Sequence, residues 1–329
     1  PPMPRSLFFS PDSVTRTNLA PDEFAAALTN PAALLWVDFT GEPPETCEPI
    51  LRAFGFHSLA VEDALQQTHI PKVDDWSGYL YIVLEAAQWE SENGGDLDTA
   101  ELDIFLGPNY LVTHHDEPLP AVEAIWEGCQ RNDRYLKNGA DHLLYRIADQ
   151  LVGDYMPVVD QIDETIDGIE DQVFDNPSPA LLQRIFHLKR AVLRLRRLLL
   201  PMREVLNKLA RDEYAVINSR DRVYFRDVYD HVVRLHDINE SLRDLVSGSL
   251  DTYLSVINNR MNEVMKTLTV ITTLFMPISF VVGFFGMNFF LPTDPLRAWT
   301  GYPVFALTLL LTIAAPAVLL WYMRRRKWL

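Results

Sequence analysis

The chain has 329 residues, room for more than one domain, and 48% of them are hydrophobic, enough for a sizeable core. Acids outnumber bases, 45 Asp+Glu against 29 Lys+Arg, for a formal net charge of −16. That balance argues against a nucleic-acid partner, which demands a basic face; it suits a protein that attracts cations, although solubility alone also accounts for it.

Residues 1–140 read as an α/β cytosolic domain. LLWVDF (34–39), YLYIVLEAAQ (79–88), ELDIFL (101–106) and NYLVTHH (109–115) are rich in β-branched and aromatic residues. Gly107-Pro108-Asn109 marks a turn, so the last two runs predict a hairpin. Helices are expected over Pro21–Thr29, Pro49–Phe54, Leu59–Gln67 and Ala121–Arg131, and SENGGD (91–96) reads as a loop. Cys47 and Cys129 are far apart and form no CxxC, so neither a zinc ribbon nor a disulfide framework is indicated. The opening PPMPRSLFFSPDS carries no apolar core of signal-peptide length. No Walker loop, GxSxG or HExxH occurs, and no catalytic constellation suggests an enzyme.

From about Asp141 the chain reads as helical. Val159, Ile162, Ile166, Ile169 and Val173 step by threes and fours, a heptad seam flanked by acids. Asn176-Pro177-Ser178-Pro179 breaks it, and a cationic helix from Ala180 to about Arg211 follows. Residues 141–220 therefore predict an antiparallel hairpin of opposite charge, held by salt bridges. A third helix starts near Asp221 and meets no strong breaker before Phe285, about 98 Å at ~1.5 Å per residue. No small domain buries such a helix, so residues 221–267 are expected to form a stalk running toward a membrane.

Residues 268–285 and 304–323 contain no charged side chain. About 20 apolar residues cross the ~30 Å hydrocarbon layer, so both runs read as transmembrane helices. Trp321-Tyr322 and then the basic tail 324–329 place that end in the cytoplasm by the positive-inside rule. Two crossings return the N-terminal part to the same side, leaving residues 286–303 as an outer loop. A multi-pass protein of the inner (plasma) membrane with both termini cytoplasmic is the expected arrangement.

The junction MNEVMKTLTVITTLFMPISFVVGFFGMNF resembles the CorA family of magnesium channels, whose hallmark is Gly-Met-Asn after the first transmembrane helix, here Gly286-Met287-Asn288. GYPV (301–304), the RRRKWL terminus, YFRDVYDH (224–231), PMREVL (201–206), HSLAVEDALQQTHIPKV (57–73) and LLYRIADQLVGDY (143–155) extend the resemblance over essentially the whole chain. It implies an α+β cytosolic domain (an α/β/α sandwich), a long stalk helix, two transmembrane helices and a homopentamer. It also implies passive uptake of Mg²⁺, with Co²⁺, Ni²⁺ or, as in ZntB-type relatives, Zn²⁺ as alternative cargo. ZntB-type relatives usually vary the Met of the triplet, so the intact triplet favours Mg²⁺. Many family members have Tyr where this chain has Phe285, and the outer loop holds one acid, Asp294, beside Arg297.

Mg²⁺ dehydrates reluctantly. A ring of neutral Asn288 amides can hydrogen-bond the waters of its intact hydrate, where carboxylates would hold the ion too tightly. Gly286 allows a tight turn there. Met287 braces the turn, since a thioether is a poor ligand for a hard ion. Asn262, Met265, Leu268, Thr272, Met276, Ser279 and Gly283 recur at threes and fours and so share one face. This is either a helix–helix seam or, as the resemblance implies, the pore lining. In the second case Met265, Leu268 and Met276 gate by dewetting, and Thr272, Ser279 and the Gly283 backbone offer oxygens. The resemblance further implies that Asp63 and Asp227, with Glu62 and Asp149 nearby, bind regulatory Mg²⁺ between subunits and hold the pore closed. A non-conducting membrane scaffold of the same fold is the rival from another class.

Overall fold

Short apolar runs punctuated by Pro, Gly and Asp build a mixed sheet in the N-terminal part. The computed structural model describes residues 4–11, 13–66, 70–90, 96–132, 134–286 and 302–326. The strands are β1 (Arg5–Ser10), β2 (Ser13–Thr17), β3 (Leu34–Thr40), β4 (Lys72–Asp75), β5 (Leu80–Glu90), β6 (Asp96–Leu106) and β7 (Tyr110–His115). They lie in the order β2-β1-β3-β7-β6-β5-β4. Among the described residues only β3 and β7 pair in parallel. That central pair is buried on both faces, which is why LLWVDF reads as a continuous apolar run.

One face of the sheet is covered by α1 (Pro21–Ala27), α2 (Pro44–Ala53) and α3 (Ser58–Gln66). Phe24, Cys47, Leu51, Ala60 and Val61 pack there against Val37, Phe39, Tyr81, Val83 and Phe105. Each fully buried Leu or Val contributes roughly 1.5–3 kcal/mol relative to exposure. On the other face Trp126 of α4 (Pro120–Arg131) meets Trp36 edge-on at 4.8 Å. The short α5 (Arg134–Lys137) leads to α6 (Ala140–Gly153), which packs on α4 and on β5–β7. This is the α/β/α sandwich. Proline opens α1, α2, α4 and the later α8, where its missing N–H costs nothing.

The helical hairpin is α7 (Tyr155–Asp175) and α8 (Pro179–Arg211). Every residue of the expected seam, Val159 to Val173, is buried. Arg194 pairs with Asp96 of β6 and Arg196 with Glu240, while α7 and α8 join through the apolar seam and an Arg184–Gln172 hydrogen bond of 3.0 Å. The cations of α8 thus tie the hairpin to its surroundings. Tyr155 donates to the Glu85 carbonyl at 2.6 Å, fastening α7 to β5.

Two long helices complete the chain, α9 (Arg222–Phe285) and α10 (Tyr302–Arg325). The chain divides into two compact units, Pro1–Tyr253 and Leu254–Leu329. In the first, α9 buries Phe225, Val228, Val232, Leu235, Leu242 and Val246. In the second, both helices are long and apolar enough to cross a membrane, with mean hydropathies of 1.9 and 2.0. Only 6% and 0% of those apolar windows is buried, so neither is a core helix of this fold. Thr269, Thr272 and Thr312 donate their hydroxyls to carbonyls four residues earlier, satisfying polar groups within the apolar stretches.

Candidate ion path and regulatory carboxylates

The expected pore stripe lies on the second half of α9. At about 100° per residue its seven positions fall within an arc of roughly 120°. All seven, Asn262 to Gly283, are exposed, including Met265 at 56%, Leu268 at 55% and Met276 at 66%. The buried Val270 and the half-buried Thr273, Leu274, Pro277, Ile278 and Val281 form a second arc, centred roughly 160° away. So the helix has a packed side, and the stripe is on the other. Thr272 uses its proton on the Leu268 carbonyl at 2.9 Å, which leaves oxygen lone pairs for an outer ligand. Three residues beyond the stripe lies Gly286, whose N–H donates to the Val282 carbonyl at 2.8 Å. A Cβ there would stand 2.9 Å from that same oxygen, so the position needs glycine. Met287 and Asn288 lie outside the described residues.

The four regulatory candidates separate into two places. Asp63 and Glu62 sit on α3. Asp63 Oδ2 receives Lys72 Nζ at 2.5 Å, and Lys72 also reaches Asp74 Oδ2 at 3.3 Å and lies over the Tyr81 ring at 5.0 Å. Burial lowers the pKa of this ammonium, but Asp63 and Asp74 outweigh that and raise it overall. Glu62 accepts a bond from Gln66 at 3.3 Å. Asp149 of α6 and Asp227 of α9 both act on Tyr145, whose pKa is raised by burial first and then by these two carboxylates. Tyr145 stacks on Tyr224 at 4.9 Å, next to a His142–Asp221 bond of 2.8 Å. Among the described residues no three His, Cys, Asp or Glu side chains gather closely enough to enclose a metal ion.

Sequence reading missed three features. Lys72 as the partner of Asp63 is the first; the nearby PKV segment was its signal. The second is a buried clasp around Asp38. Arg5 Nε donates to it at 2.7 Å, His115 Nε2 lies at 3.2 Å and Thr113 also bonds it. Burial pushes the Asp38 carboxyl up, yet His115 and Arg5 outweigh it and hold the pKa below its usual value. The clasp joins β1, β3 and β7, a structural role. The third is a patch of buried acids on β5 and β6, with Glu85 pushed to about 7 and Asp103 to about 6, in both cases by burial first. The alternating ELD and THH runs were its signal, since residues two apart on a strand share a face.

The model of the family described as CorA-like Mg²⁺ transporter protein matches residues 31–325. The chain belongs to that family. The cobalt/magnesium transport protein CorA of Thermotoga maritima is 37% identical over 89% of this chain and 83% of its own length. The complete structure of the CorA magnesium transporter from Methanocaldococcus jannaschii matches with a TM-score of 0.81 at 22% identity, covering 100% of this chain and 99% of that one. A full-length CmaX structure matches with a TM-score of 0.74 at 21% identity, over 98% and 96%. CorA membership thus agrees with the fold derived above, from the sheet to the two apolar helices.

Proposed function

We propose that the chain assembles as a homopentamer and forms a passive channel for hydrated divalent cations, Mg²⁺ foremost, in the inner (plasma) membrane. The observation that carries this reading is the exposed stripe Asn262–Gly283. It alternates polar oxygens with apolar side chains, faces away from the packed side of α9, and runs into Gly286. One chain supplies one such helix, so a closed path needs several copies. Five stripes around an axis make stacked rings. Rings of Met265, Leu268 and Met276 exclude water when narrow and conduct when wide. Rings of Thr272 and Ser279 hydrogen-bond the ion's water shell. An outer ring of Asn288 amides selects the intact hydrate, since Mg²⁺ keeps its waters.

Gating rests on the acids. Asp63, Asp227, Glu62 and Asp149 of neighbouring copies repel one another until Mg²⁺ bridges them. With the cation bound, the cytosolic rings close and the stripes narrow. Low cytosolic Mg²⁺ releases them, and α9, continuous from Arg222 to Phe285, carries the change to the pore. Both termini lie in the cytoplasm in this arrangement. Cobalt in the name of the Thermotoga relative supports Co²⁺ as a second cargo. The test is Mg²⁺ uptake into liposomes by the parent and by Asn288→Ala. The parent should transport and be blocked by hexaammine cobalt, a non-exchanging mimic of the hydrated ion. The variant should assemble normally and lose transport. Equal uptake in both would remove Asn288 from the filter.

A further inference from the structure

Where the first half of β6 meets the end of β7, a cavity of about 230 Å³ is lined by Asp98, Glu101, Asp103, His114, Asp116 and Glu117, with neighbours. It lies in the first unit and shares no residue with the stripe or the regulatory carboxylates. The register explains its chemistry. Asp103 and His114 are direct partners across β6 and β7, and Glu101 follows two residues along the same face. Glu85 sits directly opposite Glu101 on β5. All four are buried: 3% exposed for Glu85, 7% for Glu101, 2% for Asp103 and 4% for His114.

In the cavity wall, His114 Nδ1 is buried without a hydrogen-bond partner. Glu85 Oε1, outside the lining, is also buried without one. A buried polar atom without a partner is costly. Asp103 Oδ1 already accepts from the Tyr81 hydroxyl at 2.6 Å. Its other oxygen, Oδ2, stands 3.6 Å from His114 Nδ1. That is too long for a hydrogen bond. It is close to the separation of two donors on one ion, about 3–3.5 Å for bonds of ~2.0–2.2 Å at near-tetrahedral or octahedral angles. The volume suffices for an ion with several waters at ~30 Å³ each.

We propose that His114 Nδ1 and Asp103 Oδ2 bind one divalent first-row transition cation, such as Co²⁺ or Ni²⁺, with water filling its remaining positions. The imidazole nitrogen selects these ions over Mg²⁺, which prefers oxygen. No third His, Cys, Asp or Glu among the described residues converges on the pair, so water completes the shell. Glu101, in the same cavity wall, adds negative charge beside it. The cytosolic unit thereby senses transition cations separately from the Mg²⁺ that bridges subunits.

The test is equilibrium dialysis of the full chain in detergent against Co²⁺ under saturating Mg²⁺, which occupies the oxygen-only sites. One Co²⁺ per chain should persist. His114→Ala should weaken that binding by at least about tenfold, and the Asp63→Asn/Asp227→Asn double variant should leave it unchanged. Absence of Mg²⁺-resistant Co²⁺ in the parent, or equal binding in a folded His114→Ala variant, would overturn the site. If His114→Ala loses its circular-dichroism signature, X-ray absorption at the cobalt edge of the unaltered protein decides. An imidazole nitrogen in the first shell supports the site, and an oxygen-only shell overturns it.

Discussion

Replacing Lys72 by Met should make the proposed regulatory carboxylates bind Mg²⁺ more tightly. The Lys72 ammonium already occupies the place of a cation, 2.5 Å from Asp63 and 3.3 Å from Asp74. Those carboxylates outweigh its burial and keep it protonated. A dication arriving at Asp63 must break this pair and then suffer repulsion from the displaced ammonium. Lys72 and Asp63 keep 30% and 37% of their side-chain exposure, so water screens the pair and its own contribution is about 0–1 kcal/mol. Repulsion of a dication by a single charge about 6 Å away adds about 1 kcal/mol in a water-like dielectric. Together these give about 1–2 kcal/mol, or roughly a 5- to 30-fold change in affinity. Methionine keeps the apolar stem against Tyr81. The assay is limited proteolysis of the full chain in detergent across a Mg²⁺ titration. The concentration for half-protection should fall by that factor in Lys72→Met. An unchanged or higher concentration, with the thermal melt preserved, would refute the displacement argument.

Further outcomes follow from the same geometry. The Asp63→Asn/Asp227→Asn double variant should lose most of the Mg²⁺ dependence of protease protection, while Asn288→Ala keeps it; dependence retained in the double variant would return both acids to the ordinary surface. Glu85→Gln should change how stability depends on pH. The folded-state pKa is raised to about 7 from 4.5, so the carboxyl's stabilising contribution is full below 4.5 and is lost as pH rises through 7. Melting of parent and variant should therefore nearly coincide at acid pH, and the variant should gain of the order of 1–3 kcal/mol at pH 8; parallel curves across that range would contradict the burial argument. Native mass spectrometry from mild detergents should give a pentamer, and a stable monomer throughout would contradict the ring.

The features that sequence made legible are those with long periodic signals. The seam of α7, the span of α9 and the two apolar helices need many residues repeating one pattern, and no local accident imitates that. Edges were illegible for physical reasons. β1 ends just before Pro11 and pairs with the short β2, and β4 has only four residues, two of them aspartates. Their strand state comes from the neighbours they complete, Trp36 and Leu35 for β1 and Val83 and Ile82 for β4. The expected helix start at Pro49 was displaced because Pro44 takes the first-turn position, and α2 carries Pro49 inside. β6 begins at Asp96, five residues before the apolar ELDIFL run, because it pairs with β5 along the whole hairpin, from Leu80–Leu106 to Glu90–Asp96.

The candidate site divides along the same line. The stripe of α9 was legible because helical spacing alone places its members on one face. The partner of Asp63 was not, because Lys72 reaches it from a strand nine residues further along the chain. The acid pocket was hidden for a related reason: each of its residues looks like a solvated strand acid until strand pairing sets Glu85 opposite Glu101 and Asp103 opposite His114.

The central claim is that α9 lines a passive, cation-gated path for Mg²⁺. Current across a planar bilayer containing the purified chain, with Mg²⁺ as the only permeant cation, tests it most directly. The account predicts a current that needs no energy source, reverses at the Mg²⁺ equilibrium potential and falls as Mg²⁺ rises on the cytosolic side. No Mg²⁺ current at low cytosolic Mg²⁺, from protein that is folded and assembled, would contradict it.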